Sequence, residues 1–270
     1  MSSNMSAVVR MALGLEYDGS GFHGWQRQSA LASVQETLET ALSTVACHTV
    51  HTTCAGRTDT GVHACQQVVH FDTSAIRSER AWVYGSNTEL THGLRVLWAQ
   101  PVPFDFDARR SAIGRRYRYV IYNHAIRPGL LREYVSWYYR HLDAQKMFEA
   151  AQHWIGEHDF SSFRAAQCQS KSPIRDVRSI QVTRLDDKIV VDVRANAFLH
   201  HMIRNMAGVL LSIGAGLAPI EWAKEVLEAK DRRKAGLTAS PKGLYLVTVE
   251  YPEHFSLPTQ GVGPWFLNAI

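Results

Sequence analysis

The sequence has no apolar run long enough to cross a bilayer, and its first residues, Met1 to Ala7, carry neither the basic stretch nor the apolar core of a secretory leader. It contains no phosphate loop and no metal-ligand cluster. Only four cysteines occur (Cys47, Cys54, Cys65 and Cys168), none in a C-x-x-C pair and none at zinc-ligand spacing. They read as free thiols in a reducing cytoplasm. Large charge of one sign is also lacking. The 29 Lys and Arg against 25 Asp and Glu leave a formal +4, which suits an anionic partner without demanding one. At 270 residues, 46% of them apolar, the chain is an ordinary globular sequence at the size where two domains become the expectation.

What is present centres on Gly56-Arg57-Thr58-Asp59-Thr60-Gly61-Val62-His63-Ala64. The two glycines let the backbone turn tightly between a short run ending at Ala55 and the alternating Val68-Val69-His70-Phe71. An aspartate in a turn ordinarily caps its own backbone. Arg, Thr, Asp and His gathered on one loop favour a functional reading, because catalytic residues concentrate on loops carried by a rigid scaffold.

Around this loop the chain reads as alternating elements. Met11 to Tyr17 has period two and predicts a strand with one buried face. Ser33-Val34-Gln35-Glu36 is a capping box opening a helix with Val34, Leu38, Ala41, Leu42 and Val45 on one side. Strands around 49–54 and 65–72, a helix near 78–87 and a strand near Leu94 to Val102 complete a β-α-β-β-α-β order. The order then restarts. It runs through a strand at Tyr117 to Tyr122, a helix capped by Asp143, and strands near 177–184 and 189–194. Helices around 198–213 and 220–230 and a strand at Leu244 to Val249 follow. The expectation is an α+β protein of two ferredoxin-like, RRM-like halves, 1–105 and 106–270, with sheets side by side and a central cleft.

Two further stretches carry chemistry. Arg109, Arg110, Arg115, Arg116 and Arg118 cluster with Tyr117 and Tyr119 among them. A charge run is usually a solvated face. Arginine with interleaved tyrosine points beyond that, to phosphate contacts and base stacking, and hence to RNA. The second stretch, Asn196-Ala197-Phe198-Leu199-His200-His201-Met202-Ile203-Arg204-Asn205-Met206, reads as the opening of a helix. Adjacent helical histidines diverge by about 100° and would not share an ion, so no metal is expected. Arg204 on a largely apolar helix needs an anionic partner.

The 56–64 stretch, Phe106-Asp107-Ala108-Arg109, Arg116-Tyr117-Arg118-Tyr119 and the N-x-F-x-x-x-M-x-R-N run from Asn196 together resemble the tRNA pseudouridine synthase A family, in the family's order. The resemblance implies a cofactor-free isomerisation of uridine to pseudouridine in the tRNA anticodon arm, at positions 38 to 40. It makes Asp59 the essential aspartate, Tyr117 the ring that stacks on the target base, Arg204 the partner of Asp59, and Leu244 an apolar wall. It assigns RNA contacts to Arg57, Arg77, Phe106, Asp107, Ala108, Arg109, Arg110 and Tyr138, and to the loop Gln167, Cys168, Gln169, Ser170 and Lys171. One departure is Arg110, which stands where close relatives are expected to carry an aromatic. A cytoplasmic homodimer holding tRNA, with no membrane partner, is implied as well. Two rivals remain from the residues alone. A non-catalytic tandem RNA-binding protein would not need the Asp59 loop or Arg204, and a glycosidase would need a second carboxyl acid that the sequence does not single out.

Overall fold

A computed structural model of the protein describes residues 8–90, 93–259, 261 and 263–267. It shows a mixed α+β chain whose sheets are mostly antiparallel and open. The chain forms two compact units, one running to Ile113 and taking back the segment from Leu246, the other spanning Gly114–Tyr245. The division falls beyond residue 105 because Phe106 and Ala108 are fully buried in the first unit's core, against Ala12, Val68 and Phe255.

The first unit contains β1 (Val9–Tyr17), α1 (Val34–Ala46), β2 (Thr53–Cys54), β3 (His63–Thr73), α2 (Glu79–Glu89) and β4 (Leu94–Val102). β1 pairs antiparallel with both β3 and β4, and β2 lies on β3. Met11 to Leu15 are buried without alternation, not with one buried face as the period suggested. The reason is a second covering layer, in which Phe106, Tyr251 and Phe255 pack ring to ring at 5.0 to 5.1 Å over the residues that alternation had left for solvent. α1 starts at the expected cap, where Ser33 Oγ accepts from Glu36 N at 3.3 Å. The strand expected over 49–54 shrinks to two residues, because α1 side chains take its backbone donors. Val50 N donates to Ser43 Oγ and Thr52 N to Glu39 Oε1, at 2.9 and 2.7 Å.

In the second unit the elements are β5 (Gly114–Asn123), β6 (Ser136–Tyr138), α3 (Ala144–Gln152), β7 (Gly156–Asp159), β8 (Ile174–Leu185), β9 (Lys188–Ala195), α4 (Met202–Gly214) and α5 (Trp222–Ala229). The strand order is β5-β9-β8-β7, with β6 parallel on the side of β5. Last comes β10 (Leu244–Glu250), whose residues from Leu246 belong to the first unit, where it neighbours β3. Asp143 caps α3 as expected, accepting from Gln145 N and Lys146 N at 3.0 Å. β6 and β7 escaped the periodicity because three or four residues are too few to show one.

Strand alternation on β5 sorts the basic cluster. Arg116 donates to both carboxylate oxygens of Asp192 on β9, at 2.7 and 2.8 Å, and Arg118 donates to one of them at 2.8 Å. Two cations of the run are thus taken up by one aspartate that sits directly opposite Arg118. On the other side of β5, Tyr119 is wholly buried, and its hydroxyl lies within hydrogen-bond reach of Ser136 Oγ at 2.8 Å and of Ser240 O at 2.9 Å. Burial drives its phenol pKa far up. It is a core residue and not a platform for a base. Asp192→Ala leaves Arg118, one-tenth exposed, without its carboxylate. We expect a loss of about 3 kcal/mol in urea unfolding.

Candidate active site

The Asp59 loop is shaped by side chains that lie beneath it. Along β1 the register with β3 shifts between Leu15 and Tyr17, so that Leu15 faces Gln67 and Tyr17 faces Ala64. The irregularity re-aims the end of β1 toward the loop, as bulges beside functional sites do. Tyr17, Thr58 and Gln67 are all buried. Gln67 Nε2 donates to Gly56 O at 2.6 Å, and Gln67 Oε1 accepts from Gly56 N at 3.4 Å. The Tyr17 hydroxyl lies 2.8 Å from Thr58 Oγ1 and 3.4 Å from Gln67 Nε2. The loop closes on itself through Val62 N, which donates to Asp59 O at 3.1 Å.

A second support comes from the aromatic and basic segment that follows Asp18, whose irregular pattern hid its purpose. Trp25, 1% exposed, donates its backbone N–H to Thr58 O at 2.9 Å. Gly24 and Trp25 also accept, through their carbonyls, from Val34 N and Gln35 N at 3.2 and 3.0 Å. These bonds satisfy donors that the first turn of a helix leaves open. The segment therefore ties the start of α1 to the loop. Gly24 has φ +89°, and a Cβ there would stand 2.9 Å from Thr58 O and 3.2 Å from the Asp59 carbonyl carbon. A glycine in this run is a legible sign that two backbones meet here. On the far side of the loop, His63 Nδ1 accepts from Gly19 N at 3.1 Å.

Arg57 is exposed on the loop, and Asp59 is half-buried. Arg57 and Arg109 both act on the Cys54 thiol, whose pKa burial nevertheless pushes up to about 12. That thiol stays protonated and inert. Arg109 sits on a turn whose geometry Asp107 sets by accepting from Arg109 N and Arg110 N, each at 2.9 Å. Partial burial raises the Asp107 pKa, but the Arg110 and Arg109 N–H groups and nearby cations outweigh it, and the net shift is downward. Phe106 and Ala108 expose no surface, which corrects the reading of 106–110 as a continuous contact strip. They anchor the turn, with His70 Nδ1 accepting from Ala108 N at 3.0 Å and Tyr251 OH donating to Ala108 O at 2.6 Å. Burial lowers the His70 pKa, and Arg10 adds to it, so the ring stays neutral. Asp107, Arg109 and Arg110 are the part of the run that reaches solvent. Arg77, elsewhere in the unit, donates to Val45 O at the end of α1 at 3.1 Å.

The second unit supplies the other sequence-predicted residues. Tyr117 on β5 meets the edge of Phe198 at 5.0 Å between ring centres and 81° between planes. α4 begins at Met202, later than expected, because His201 takes a left-handed conformation (φ +61°). His200 and His201 therefore lie before the helix with their rings 4.1 Å apart, outside the helical geometry that would make them diverge. Arg204 Nε donates to Ala239 O at 2.9 Å, while Ala239 N donates back to Arg204 O at 3.0 Å. Its neighbour Asn205, fully buried, gives Nδ2 to Phe163 O at 2.7 Å and accepts from Arg232 and Thr238 at 3.0 and 2.7 Å. Leu244, 5% exposed, starts β10. Tyr138 on β6 stacks on Tyr139 with centres 6.0 Å apart, and burial raises its pKa.

In the 167–171 loop Arg164 donates to Cys168 O and Ser170 O at 3.1 and 2.7 Å. Arg175 donates to Ser170 Oγ at 2.7 Å. Burial opposes ionisation of the Cys168 thiol. Donors from His200 N, Ser170 N and Arg164 overcome it, so the net shift is downward. Gln167, Gln169 and Lys171 are exposed.

An α+β protein that holds a carboxylate on a loop braced by buried hydrogen bonds, with exposed arginines on that loop and the 106–110 turn, has the makings of an enzyme for a polyanionic substrate. A sequence profile described as tRNA pseudouridine synthase matches residues 15–109 and 150–252. The chain belongs to the tRNA pseudouridine synthase family. It is 56% identical over 260 residues to a tRNA pseudouridine synthase A of Coxiella burnetii, with 96% of this chain and 100% of the relative covered. A Shewanella woodyi protein of the same name is 59% identical, covering 96% and 99%. One from Pseudomonas aeruginosa is 56% identical over 269 residues, covering 99% and 94%.

Gly24→Ala tests the backbone approach. The added Cβ displaces the peptide between Thr58 and Asp59, and we expect turnover to fall by about a hundredfold. Affinity for tRNA, read by filter binding, should change little.

Proposed function

We propose that this chain converts uridine to pseudouridine within tRNA, in the anticodon arm at positions 38 to 40 and without a cofactor. The observation that carries the reading is the Asp59 carboxylate on a loop held by Gln67, Tyr17 and Trp25. The family membership and the names of the relatives supply the substrate class.

In the reaction the bond from C1′ to N1 breaks, the freed uracil turns, and C5 bonds to C1′. The proton on C5 leaves and N1 gains one, so mass is unchanged. Asp59 attacks C1′ as a nucleophile or removes a sugar proton to give a glycal. Tyr117 offers a flat ring to the base, braced from the side by Phe198, and Leu244 adds apolar wall. The resemblance to the family gives Arg204 the role of cationic partner to the reacting carboxylate. The target base must leave its stack at a cost of a few kcal/mol, which stacking and phosphate contacts offset.

Arg57, Arg77, Asp107, Arg109, Arg110, Tyr138 and the 167–171 loop contact the RNA in this reading. Phe106 and Ala108 support the turn that presents Arg109. In the first unit β1 lies between β4 and β3, and β2 pairs with β3, which supports a ferredoxin-like plan. A cytoplasmic homodimer completes the proposal. Among the described residues no helix is long and apolar enough to cross a membrane.

Asp59→Asn keeps the shape of the side chain and removes both nucleophile and base. We expect turnover on unmodified tRNA to fall by roughly a thousandfold or more, with affinity within a few-fold. The readout is base composition of the digested product, using protein from a host lacking its own enzyme. Full turnover by the variant would return the chain to the RNA-binding reading.

Binding should also depend on salt. With about four phosphates neutralised by Arg57, Arg109, Arg110 and Lys171, affinity is expected to fall about fiftyfold between about 50 and 200 mM salt. A flat titration would assign these side chains to a merely solvated face.

A further inference from the structure

We propose that Tyr17 and Gln67 are positioning residues for the Asp59 carboxylate, acting through Thr58 and Gly56. The inference rests on the catalytic reading of Asp59 given above. Both side chains sit on strands of the first unit, Tyr17 at the bulged end of β1 and Gln67 on β3. Tyr17 is 2% exposed and Gln67 is 0% exposed. Buried polar groups are retained where they satisfy one another or an adjoining backbone. A glutamine and a tyrosine on neighbouring strands could have spent their groups within the sheet. Here the amide and hydroxyl instead engage the loop.

The geometry shows what they fix. The Gln67 amide holds both backbone polar groups of Gly56, accepting from N at 3.4 Å and donating to O at 2.6 Å. It also reaches the Tyr17 hydroxyl at 3.4 Å, and that hydroxyl reaches Thr58 Oγ1 at 2.8 Å. Thr58 is therefore held at its side chain by Tyr17 and at its carbonyl by Trp25 N, 2.9 Å away. A residue fixed at both points has little freedom to rotate the peptide that leads into Asp59. Its neighbour inherits that direction. A carboxylate that must meet C1′ along one line gains from such a support, because a displacement of about 1 Å costs about a hundredfold in rate.

The chain of contact predicts a distinct kinetic pattern. Tyr17→Phe and Thr58→Val each remove one hydroxyl of the same hydrogen bond. Each should lower kcat on unmodified tRNA by about tenfold with KM within about twofold. The double variant should be no slower than the slower single one, because the two hydroxyls act as a unit. Thr58→Ser keeps the hydroxyl and should retain nearly full kcat. Gln67→Glu keeps the shape and replaces the amide donor to Gly56 O with a carboxylate oxygen when ionised. Its kcat relative to the parent should recover as pH falls, since a protonated carboxyl can donate to Gly56 O. Thermal unfolding is followed on every variant, and rates are expressed per folded protein.

The proposal fails for Tyr17 if Tyr17→Phe and Thr58→Val turn over at the parent rate, if their losses multiply, or if Thr58→Ser is as slow as Thr58→Val. It fails for Gln67 if the Gln67→Glu ratio does not vary with pH. If Tyr17→Phe does not fold, the Thr58 pair decides the outcome by itself. Asp59→Asn separates the two claims. An inactive Asp59→Asn beside a fully active Tyr17→Phe overturns only the positioning role, whereas an active Asp59→Asn overturns the catalytic reading beneath it.

Discussion

Gly56 is half-buried, and the fully buried side chain of Gln67 satisfies both its backbone N–H and its carbonyl. Much of the Asp59 loop follows from that constraint. A short polar loop has no ladder of its own, so its backbone groups must find partners or remain wet. Supplying them from a strand below turns the loop into an extension of the sheet. The bulge at the end of β1, the Tyr17 hydroxyl and the close pass of Gly24 all serve the same surface. Rigidity of this kind is a structural cost to the first unit and a gain for directed chemistry.

Charge is handled by the same economy of partners. Of the five arginines between 109 and 118, Arg116 and Arg118 bind Asp192, which makes them cross-strand ties. Arg109 and Arg110 lie on a turn that Asp107 shapes by accepting from both backbone N–H groups. The anionic cap therefore sets the direction of the turn. A charge count along the sequence treats all five alike, and the fold does not.

The second unit places Arg204 by a comparable device. The backbone of Ala239 and that of Arg204 bond to each other, and the Arg204 side chain returns to the Ala239 carbonyl. Asn205 next to it ties the same segment to α4 through Thr238 and Arg232. The paired Arg-Asn of the motif thus divides its work. One residue carries the charge and the other fastens the strap that holds it. Nothing in the spacing of the two distinguishes these roles.

Local sequence was enough for the α+β class, the caps at Ser33 and Asp143, most long strands, and the loop that bears Asp59. Each of these is set by side chains within a few residues of one another, so period and capping chemistry expose them. The family, too, was legible in its motifs. Tertiary structure decided what came from afar. It decided that β1 is covered on both faces, that Phe106 and Ala108 lie inside, and that α4 starts only at Met202. It also decided that Tyr17, Gln67 and Gly24 support a loop whose aspartate lies between eight and 42 residues from them in the chain. Such contacts leave no period in the sequence, because each depends on which strand folds beside which, and burial then fixes the partners that the polar groups must take.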